Sequence, residues 1–360
     1  MSKVRKRGNS YFLDFYDDNG ERQRISMPKG ATKKVAQDKL DEIRRQLREG
    51  TYMAPAKIPT FKEVAQEWLE NKKMNLRPTT WSVYEGHTRN HFNEFDPFYM
   101  NRISTAMVEK FITTRQEQGM NLSTLKKVLI SLGQIFSLGV KRGYCIKNPL
   151  ADADRPRSQG AEEDGQDNIQ IMTPEQIGAF LENVKAHKYK TLFTLAIFSG
   201  ARQGELLGLK WSDIYWENKQ IHIQRTFNNG AFFTTKTKGS NRKVDIGPKT
   251  TKTLKEWKLA CPPGELELVF PTASGTPMNH NNMVNRYFRP ALKAAGIDQI
   301  RFHDLRHTYA SLLIEQGENI KYVQTQLGHA TPTVTLNVYA HLMKPTNQAA
   351  AKKLESMIFN

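Results

Sequence analysis

The sequence predicts an α+β protein, mainly helical with small β-sheets, that is divided into several domains. The chain has 360 residues with 38% hydrophobic content, more than one compact core usually uses. Apolar residues recur with helical spacing in most segments, and period-two alternation is confined to two short stretches. A stretch almost without apolar residues, from Asp152 to Gln170, separates two globular parts. The predicted order is a small β-sheet-plus-helix domain (1–55), a helical domain (60–151), a linker (152–170), a mixed α/β domain (171–345) and a C-terminal tail (346–360).

The first domain is predicted from alternating apolar residues on both sides of a turn at Asp18-Asn19-Gly20, which indicates a β-hairpin. The pattern becomes helical from Thr32 to Gln46, and Gly50 ends the helix. A basic, partly disordered tail is the alternative. Aromatic residues that need a core argue against it; they are Tyr11, Phe12, Phe15 and Tyr16.

The helical domain follows a segment with two prolines that ends near Thr60. From Phe61 to about Pro149, apolar residues recur at helical spacing, and basic residues fall mostly outside the apolar stripe. Such a basic face either is simply solvated or faces a nucleic acid, and this region alone favours the solvated face.

The domain after the linker opens with a predicted helix that has Thr173 as its N-cap and Pro174 at its first position. Further on, "TLFTLAIFSGARQGELL" predicts an apolar helix that ends at Gly200 and a shorter one that begins near Arg202. Glu205 lies on the same face as Arg202 and could hold its guanidinium group. An ordinary Arg–Glu surface pair is the alternative.

Period-two alternation returns in "KQIHIQRTFNNGAFFTTKTKGSNRKVDIGP" and is cut by Asn229-Gly230 and by Gly239-Ser240-Asn241. It predicts a three-stranded antiparallel sheet. Lys236 lies near the second turn. A lysine at a strand end more often protects a sheet edge than takes part in catalysis.

In "RFHDLRHTYASLL", the apolar residues gather on one arc of a predicted helix, and His303 and Arg306 share its flank. His303 and His307 have the i, i+4 spacing of a zinc pair, but no third ligand is evident, so a metal site is not predicted. We interpret His307 as structural, because its direction lies nearly opposite the centre of the apolar arc. A turn at Gly328-His329 precedes a last helix that contains Tyr339. A core histidine, an amphipathic aromatic residue and a helix-turn-helix are the alternatives for this region.

Composition points to a partner of negative charge. Lys and Arg number 53 against 36 Asp and Glu, for a net charge of +17, which favours nucleic acid over an anionic membrane. No apolar run approaches the length of a transmembrane helix, and the start lacks the apolar core of a signal peptide. We therefore expect a cytoplasmic, nucleoid-associated protein with no membrane partner. The two cysteines, Cys145 and Cys261, indicate neither a disulfide framework nor a thiolate zinc site.

Taken together, the candidate residues form an ordered set that resembles the tyrosine recombinase family of phage-type integrases. The resemblance covers residues 171–343 with specific motifs, and the two upstream segments resemble the arm-type DNA-binding and core-binding domains of the family more loosely. The motifs are Arg202 with Glu205, Lys236, His303-x-x-Arg306, Leu327-Gly328-His329 and Tyr339.

The resemblance implies that Tyr339 attacks a DNA phosphodiester and leaves a 3′-phosphotyrosyl link. Arg202 and Arg306 would bind the phosphate, with Glu205 in support, and His329 would hydrogen-bond to it. His303 would act as an acid/base that assists Tyr339, and Lys236, preferred over Lys238, would protonate the leaving 5′-oxygen. No metal, ATP or other cofactor is expected, because the phosphotyrosyl bond keeps the energy of the phosphodiester and the motifs for such groups are missing.

The resemblance also implies the function and the partners. We expect a site-specific recombinase that integrates or excises a phage or mobile element, acting as a homotetramer on double-stranded DNA attachment sites. An accessory DNA-bending protein or an excisionase is a further expected partner. A DNA-binding protein without catalysis and a strand-swivelling topoisomerase are the alternative functions. The DNA contacts expected in the first domain are Lys3, Arg5, Lys6, Arg7, Arg22 and Arg24.

Overall fold

The computed structural model describes residues 2–17, 20–50, 52, 58–156, 169–234, 238–339, 352 and 355–357. Four sequence predictions lie wholly or largely outside these ranges: the Asp18-Asn19 turn, most of the linker, Lys236, and most of the tail. The chain divides into two compact units, Met1–Gln166 and Asp167–Asn360.

The first unit begins with a three-stranded antiparallel sheet and one helix. The elements are β1 (Lys3–Arg7), β2 (Ser10–Tyr16), β3 (Arg22–Ser26) and α1 (Lys33–Arg48). The strands lie in the order β1-β2-β3, so the predicted hairpin is present as β2–β3 and β1 adds a third strand. Thr32 caps α1 by accepting a hydrogen bond from Val35 N, as side-chain oxygens do at helix N-termini. Residues of β2 and α1 form a small apolar core of their own, consisting of Leu13, Phe15, Ala36, Leu40 and Ile43.

Four helices follow in the first unit: α2 (Phe61–Lys73), α3 (Pro78–His91), α4 (Thr105–Glu117) and α5 (Leu122–Lys141). Thr60 and Glu63 form a capping box at the start of α2, which fixes the point where the chain enters the helix. A separate core holds these helices together, and contacts between phenylalanine rings run through it. Its phenylalanines are Phe61, Phe92, Phe95, Phe111 and Phe136.

The second unit is a mixed α/β domain. Its helices are α6 (Pro174–Asn183), α7 (His187–Ser199), α8 (Gln203–Leu207), α9 (Pro248–Ala260), α10 (His280–Met283), α11 (Arg289–Ala294), α12 (Asp304–Glu315), α13 (Ile320–Leu327) and α14 (Pro332–Tyr339). A single π-helical segment, Val284–Phe288, joins α10 to α11. A large apolar core is formed by residues of α6, α7, α8, α9, the sheet, the α10–α11 segment and the start of α12. A smaller cluster from α12, α13 and α14 includes Tyr309, Val323, Leu327 and Tyr339.

The strands of this unit depart from the sequence prediction. They are β4 (Ile214–Tyr215), β5 (Gln220–Ile223), β6 (Arg225–Asn228), β7 (Ala231–Thr234) and β8 (Arg242–Asp245). Instead of one sheet of three consecutive strands, β4-β5-β8 form one sheet and β6-β7 form a separate hairpin.

Two glycines of the α8 region explain why the hairpin leaves the sheet. A Cβ atom at Gly204 would lie 2.4 Å from Thr226 Oγ1, and one at Gly208 would lie 3.0 Å from Phe227 N. Strand β6 therefore packs directly on α8, which only glycine permits at this distance. Strand β5 then pairs with β8, where Ile221 lies opposite Val244.

Every helix in the described ranges is too short or too polar to span a bilayer.

Candidate active site

Arg202 lies at the entrance of α8, directly after the turn that ends α7. Gly200 has a left-handed backbone there, with φ of 58°, and a Cβ atom on it would meet the ring of Tyr309 at 2.4 Å. Glu205 holds both the backbone and the guanidinium group of Arg202. Arg202 N donates to Glu205 Oε2 at 2.8 Å, and Arg202 Nη1 donates to Glu205 Oε1 at 3.0 Å. The Arg202 side chain is 39% exposed, so its guanidinium group stays open to a ligand.

Glu205 is shared with a second arginine that the sequence analysis did not select. Arg242, in β8, donates from Nη2 to Glu205 Oε2 at 2.9 Å and from Nη1 to Oε1 at 3.2 Å, and both side chains are buried. Burial alone would raise the pKa of Glu205, but the charges and hydrogen bonds of Arg242 and Arg202 together outweigh it and the pKa is lowered. The alternation of β8 was an available signal, because it places Arg242 on the same inward face as Val244.

Arg242 also reaches the turn after α13. Its Nε donates to Gln326 O at 2.6 Å, and its side chain occupies the space where a side chain of residue 328 would lie. Gly328 has φ of 66°, and a Cβ atom on it would be 2.8 Å from Arg242 Nη1. The turn thus requires glycine for its backbone and for the approach of Arg242.

Arg306 lies in the first turns of α12 and is 3% exposed. It donates from Nη1 to Gly200 O at 2.7 Å and from Nη2 to Leu327 O at 2.5 Å. These two carbonyls hold the guanidinium group between the turns that precede Arg202 and His329. Burial, and then the charges of Arg202 and Arg242, lower the pKa of Arg306, but a guanidinium remains protonated near neutral pH.

His329 follows Gly328 directly and is half-buried. Its Nδ1 lies 2.9 Å from the hydroxyl of the buried Thr335 in α14. Burial and the nearby charges of Arg306 and Arg202 lower the pKa of His329 to about 3. The ring is therefore neutral at physiological pH and free to hydrogen-bond rather than to add another charge.

Tyr339, at the end of α14, is 2% exposed. Its hydroxyl lies 2.6 Å from His307 Nδ1, and burial raises the phenol's pKa to about 12. The structural interpretation of His307 rested on its direction away from the apolar arc, and the structure shows that this direction leads to a contact with the Tyr339 hydroxyl. The ring of His307 faces that of Tyr339, with the two ring centroids 5.7 Å apart.

His303 lies at the start of α12 and retains access to solvent. Its ring centroid is 5.1 Å from that of His307, with the rings edge to face. Partial burial and the charge of Arg306 lower its pKa to about 4. Among the described residues, no group of three or more His, Cys, Asp or Glu side chains is placed to hold a metal ion.

Lys236 lies outside the described residues, in the segment between β7 and the 3-10 turn Lys238–Ser240. The described turn borders the site, because a Cβ atom at Gly328 would lie 3.0 Å from Gly239 O. The assignment of Lys236 stays a prediction.

Comparison with known proteins bears directly on this site. The model of the "Phage integrase family" matches residues 170–345, and that of the "Phage integrase, N-terminal SAM-like domain" matches residues 60–114. A "Tyrosine recombinase XerC-like" protein of Caldanaerobacter subterraneus subsp. tengcongensis is 31% identical over 369 residues, covering 95% of this chain and 94% of that protein. The chain belongs to the tyrosine recombinase family. The "ICEBs1 integrase" of Bacillus subtilis is 26% identical over 380 residues, with 99% of this chain and 100% of that protein covered.

Solved structures of tyrosine recombinases share the fold. The Tn1549 transposon integrase in complex with a circular intermediate DNA has a TM-score of 0.69 and 20% identity, covering 83% of this chain and 99% of that one. A lambda integrase tetramer bound to a Holliday junction has a TM-score of 0.59 and 18% identity, covering 92% and 96%. These matches confirm the predicted α+β fold and the predicted family. They also confirm the predicted function, which is that of a site-specific recombinase that cleaves and rejoins DNA through a tyrosine.

The six basic residues expected to contact DNA lie on the N-terminal sheet of this recombinase, and all are exposed. Two of them are paired within the sheet. The largely buried carboxylate of Asp14 lies 2.9 Å from Arg5 and 2.6 Å from Arg22, and the hydrogen bond from Arg22 lowers its pKa. Lys6 lies over the ring of Tyr11, with Nζ 5.6 Å from its centroid. The role of this face in DNA binding stays a prediction.

Proposed function

We propose that this recombinase uses Tyr339 as its nucleophile to integrate or excise a mobile genetic element at double-stranded DNA attachment sites. One observation carries the proposal: Arg306 is held between the turns of Arg202 and His329, and the helix that carries Arg306 also contacts the Tyr339 hydroxyl through His307. Cationic donors and a phenol are thereby gathered in one place.

The arrangement suits attack on a phosphodiester. Guanidinium groups donate to the two non-bridging oxygens and stabilise the charge that grows in the pentavalent transition state. Arg202 is open to the ligand. Arg306 is held in position by the carbonyl groups of Gly200 and Leu327. The neutral ring of His329 would add a hydrogen bond to the phosphate. Lys236 would protonate the leaving 5′-oxygen, which otherwise departs as a strong base. The phosphotyrosyl bond keeps the energy of the broken bond, so the cycle needs neither ATP nor a metal.

Integration joins two duplexes, and we propose that four copies of the chain assemble on them. The lambda integrase tetramer on a Holliday junction supports this assembly by analogy of fold. The basic sheet of the first unit would bind accessory sites, where a DNA-bending protein or an excisionase would act. The protein would accordingly reside on the host nucleoid.

The test is the trapping of a covalent adduct. A suicide substrate nicked next to the scissile phosphate loses its short fragment, so the wild-type protein should accumulate as a protein–DNA complex on a denaturing gel. Tyr339→Phe removes one oxygen and keeps the ring, so DNA binding should persist while the adduct disappears. Tyr322→Phe is the matched control, because the Tyr322 hydroxyl also makes one hydrogen bond, to Asp245 Oδ2 at 3.0 Å.

Three outcomes would contradict the proposal. If Tyr339→Phe formed the adduct and Tyr322→Phe did not, the nucleophile would be Tyr322 and not Tyr339. Relaxation of supercoils without recombinant products would favour a topoisomerase. Tight DNA binding without any adduct on cognate sites would favour a DNA-binding protein.

A further inference from the structure

Among the described residues, the hydroxyl of Tyr339 has one hydrogen-bond partner, His307. His307 Nδ1 lies 2.6 Å from it, at the short end of the range for a hydrogen bond made by a hydroxyl. Because burial raises the phenol's pKa to about 12, the phenol is protonated at neutral pH and can donate. His307 then accepts at Nδ1 and carries its own hydrogen on Nε2, which is a normal neutral tautomer.

We propose that His307, and not His303, takes the proton of Tyr339 when the phenol attacks DNA. The inference rests on the proposed function, since it assigns a base to the same nucleophile. A general base must lie within hydrogen-bond reach of the proton that it removes, and His307 meets that condition in the unliganded protein.

The chemical step balances within this set of residues. The Tyr339 O–H bond breaks and its proton passes to His307 Nδ1 while the bond from the phenol oxygen to phosphorus forms. The bond from phosphorus to the 5′-oxygen breaks, and that oxygen takes a proton from Lys236. In the reverse step a 5′-hydroxyl attacks, the phenolate leaves, and His307 returns the proton to it.

The position of His307 on α12 suits this role better than that of His303. His307 is one helical turn deeper, with its ring centroid 5.7 Å from that of Tyr339. His303 lies at the solvent-exposed start of α12, beside Arg306. His303 is placed to contact the phosphate side of the site instead.

The charged and titratable groups around His307 come from three elements. Among the described residues, His303 of α12, His329 in the turn after α13 and Tyr339 of α14 interact with His307, and Asp304 and Arg306 of α12 act on the Tyr339 hydroxyl. The positive charge of Arg306 favours the phenolate, whereas the negative charge of Asp304 opposes it. A proton on His307 would be stabilised once the phosphate brings negative charge into the site.

The experiment measures the rate of adduct formation by the full-length protein on the suicide substrate across a pH range. His307→Asn places an amide oxygen near Nδ1, so it preserves a hydrogen-bond acceptor but cannot take a proton. We expect adduct formation to slow by about 10²-fold or more, with unchanged DNA affinity and with loss of the acidic limb of the pH–rate profile. His303→Asn is the matched control and should keep that limb.

A second measurement separates proton transfer from a structural role. Fluorotyrosine at position 339 has a lower phenol pKa, so it needs a base less, and the loss caused by His307→Asn should shrink. An equal loss with tyrosine and fluorotyrosine would show that His307 only supports the structure and would overturn the inference. So would His307→Asn cleaving at the wild-type rate at every pH.

The two proposals fail in different ways. If the wild-type protein forms no adduct, the proposed function fails and the inference with it. If the wild type forms the adduct and His307→Asn forms it equally fast, the inference alone fails.

Discussion

Arg242 offers the sharpest test of how the site is held together. We expect Arg242→Met to destabilise the second unit strongly, because it removes one partner of a buried ion pair and leaves the other in place. Breaking such a pair costs about 3–5 kcal/mol. Glu205 keeps Arg202 Nη1 at 3.0 Å and Arg202 N at 2.8 Å, which points to the lower end, about 3 kcal/mol. Gln326 O also loses its donor, for about 1 kcal/mol more.

The expected total of about 4 kcal/mol is a large part of the roughly 5–15 kcal/mol that stabilises a domain. The free energy of unfolding of the second unit can be measured in the full chain by urea denaturation, with hydrogen exchange of peptides from that unit as the signal. Glu205→Gln combined with Arg242→Met should cost less than the sum of the single changes, by up to about 3 kcal/mol, because the uncompensated carboxylate is then absent.

Arg225 provides the matched control. It pairs with the buried Asp213, but its own side chain is 23% exposed. Asp213 also keeps hydrogen bonds from Gln224 Nε2 and Lys210 N. Arg225→Met should therefore cost clearly less. Equal losses in the two variants, or a cost below about 1 kcal/mol for Arg242→Met, would refute the view that Arg242 fixes Glu205.

Three further predictions concern the chemistry, the first domain and pH. Lys236→Ala should slow cleavage of a normal substrate far more than of one with a 5′-bridging sulfur, a leaving group that hardly needs a proton; rescue of Lys238→Ala instead would reassign the acid. Removal of residues 1–59 should spare cleavage of a core site but weaken binding to accessory sites, and equal binding by both proteins on every DNA in a gel-shift assay would contradict this. The pKa values of His303 and His329, about 4 and about 3, lie below the ordinary 6.5, so the unfolded chain binds more protons and the free energy of unfolding should fall as the pH drops below about 6.5. His329→Gln should reduce that fall in urea titrations, and an unchanged pH dependence would contradict it.

Local signals predicted much of the fold, because the residues that start and stop helices act over short distances. Thr173 caps α6 as predicted, and Thr32 and Thr60, where the sequence placed a helix start and the end of a linker, also cap helices. The turns at Gly200 and Gly328 are left-handed, as glycine after a helix indicates.

The features that sequence reasoning missed depend on contacts between distant elements. The hairpin separates from the sheet because Gly204 in α8 and Gly208 directly after it let strand β6 pack closely against them. These glycines lie some twenty residues before β6 in the chain. The pattern of α12 alone turns His307 away from the core, and only the packing of α14 supplies its partner. Arg242 looked like one basic residue among several, since its carboxylate partner lies 37 positions earlier in the chain.

The electrostatics of the site explain why these residues belong together in a DNA-cleaving enzyme. Arg202, Arg242 and Arg306 bring three positive charges to one region, and Glu205 is engaged with the first two of them. Burial, together with the remaining positive charge, lowers the pKa values of His303 and His329 and keeps both rings neutral. In the proposed reaction a phosphodiester would bring the missing negative charge, which should raise both pKa values and make the imidazoles better proton carriers. Charge on the phosphorus oxygens increases further in the transition state, where the same donors bind more strongly than in the ground state. On this proposal, the unliganded site holds an excess of positive charge, and binding of the DNA backbone would neutralise that charge at the phosphate that is to be cut.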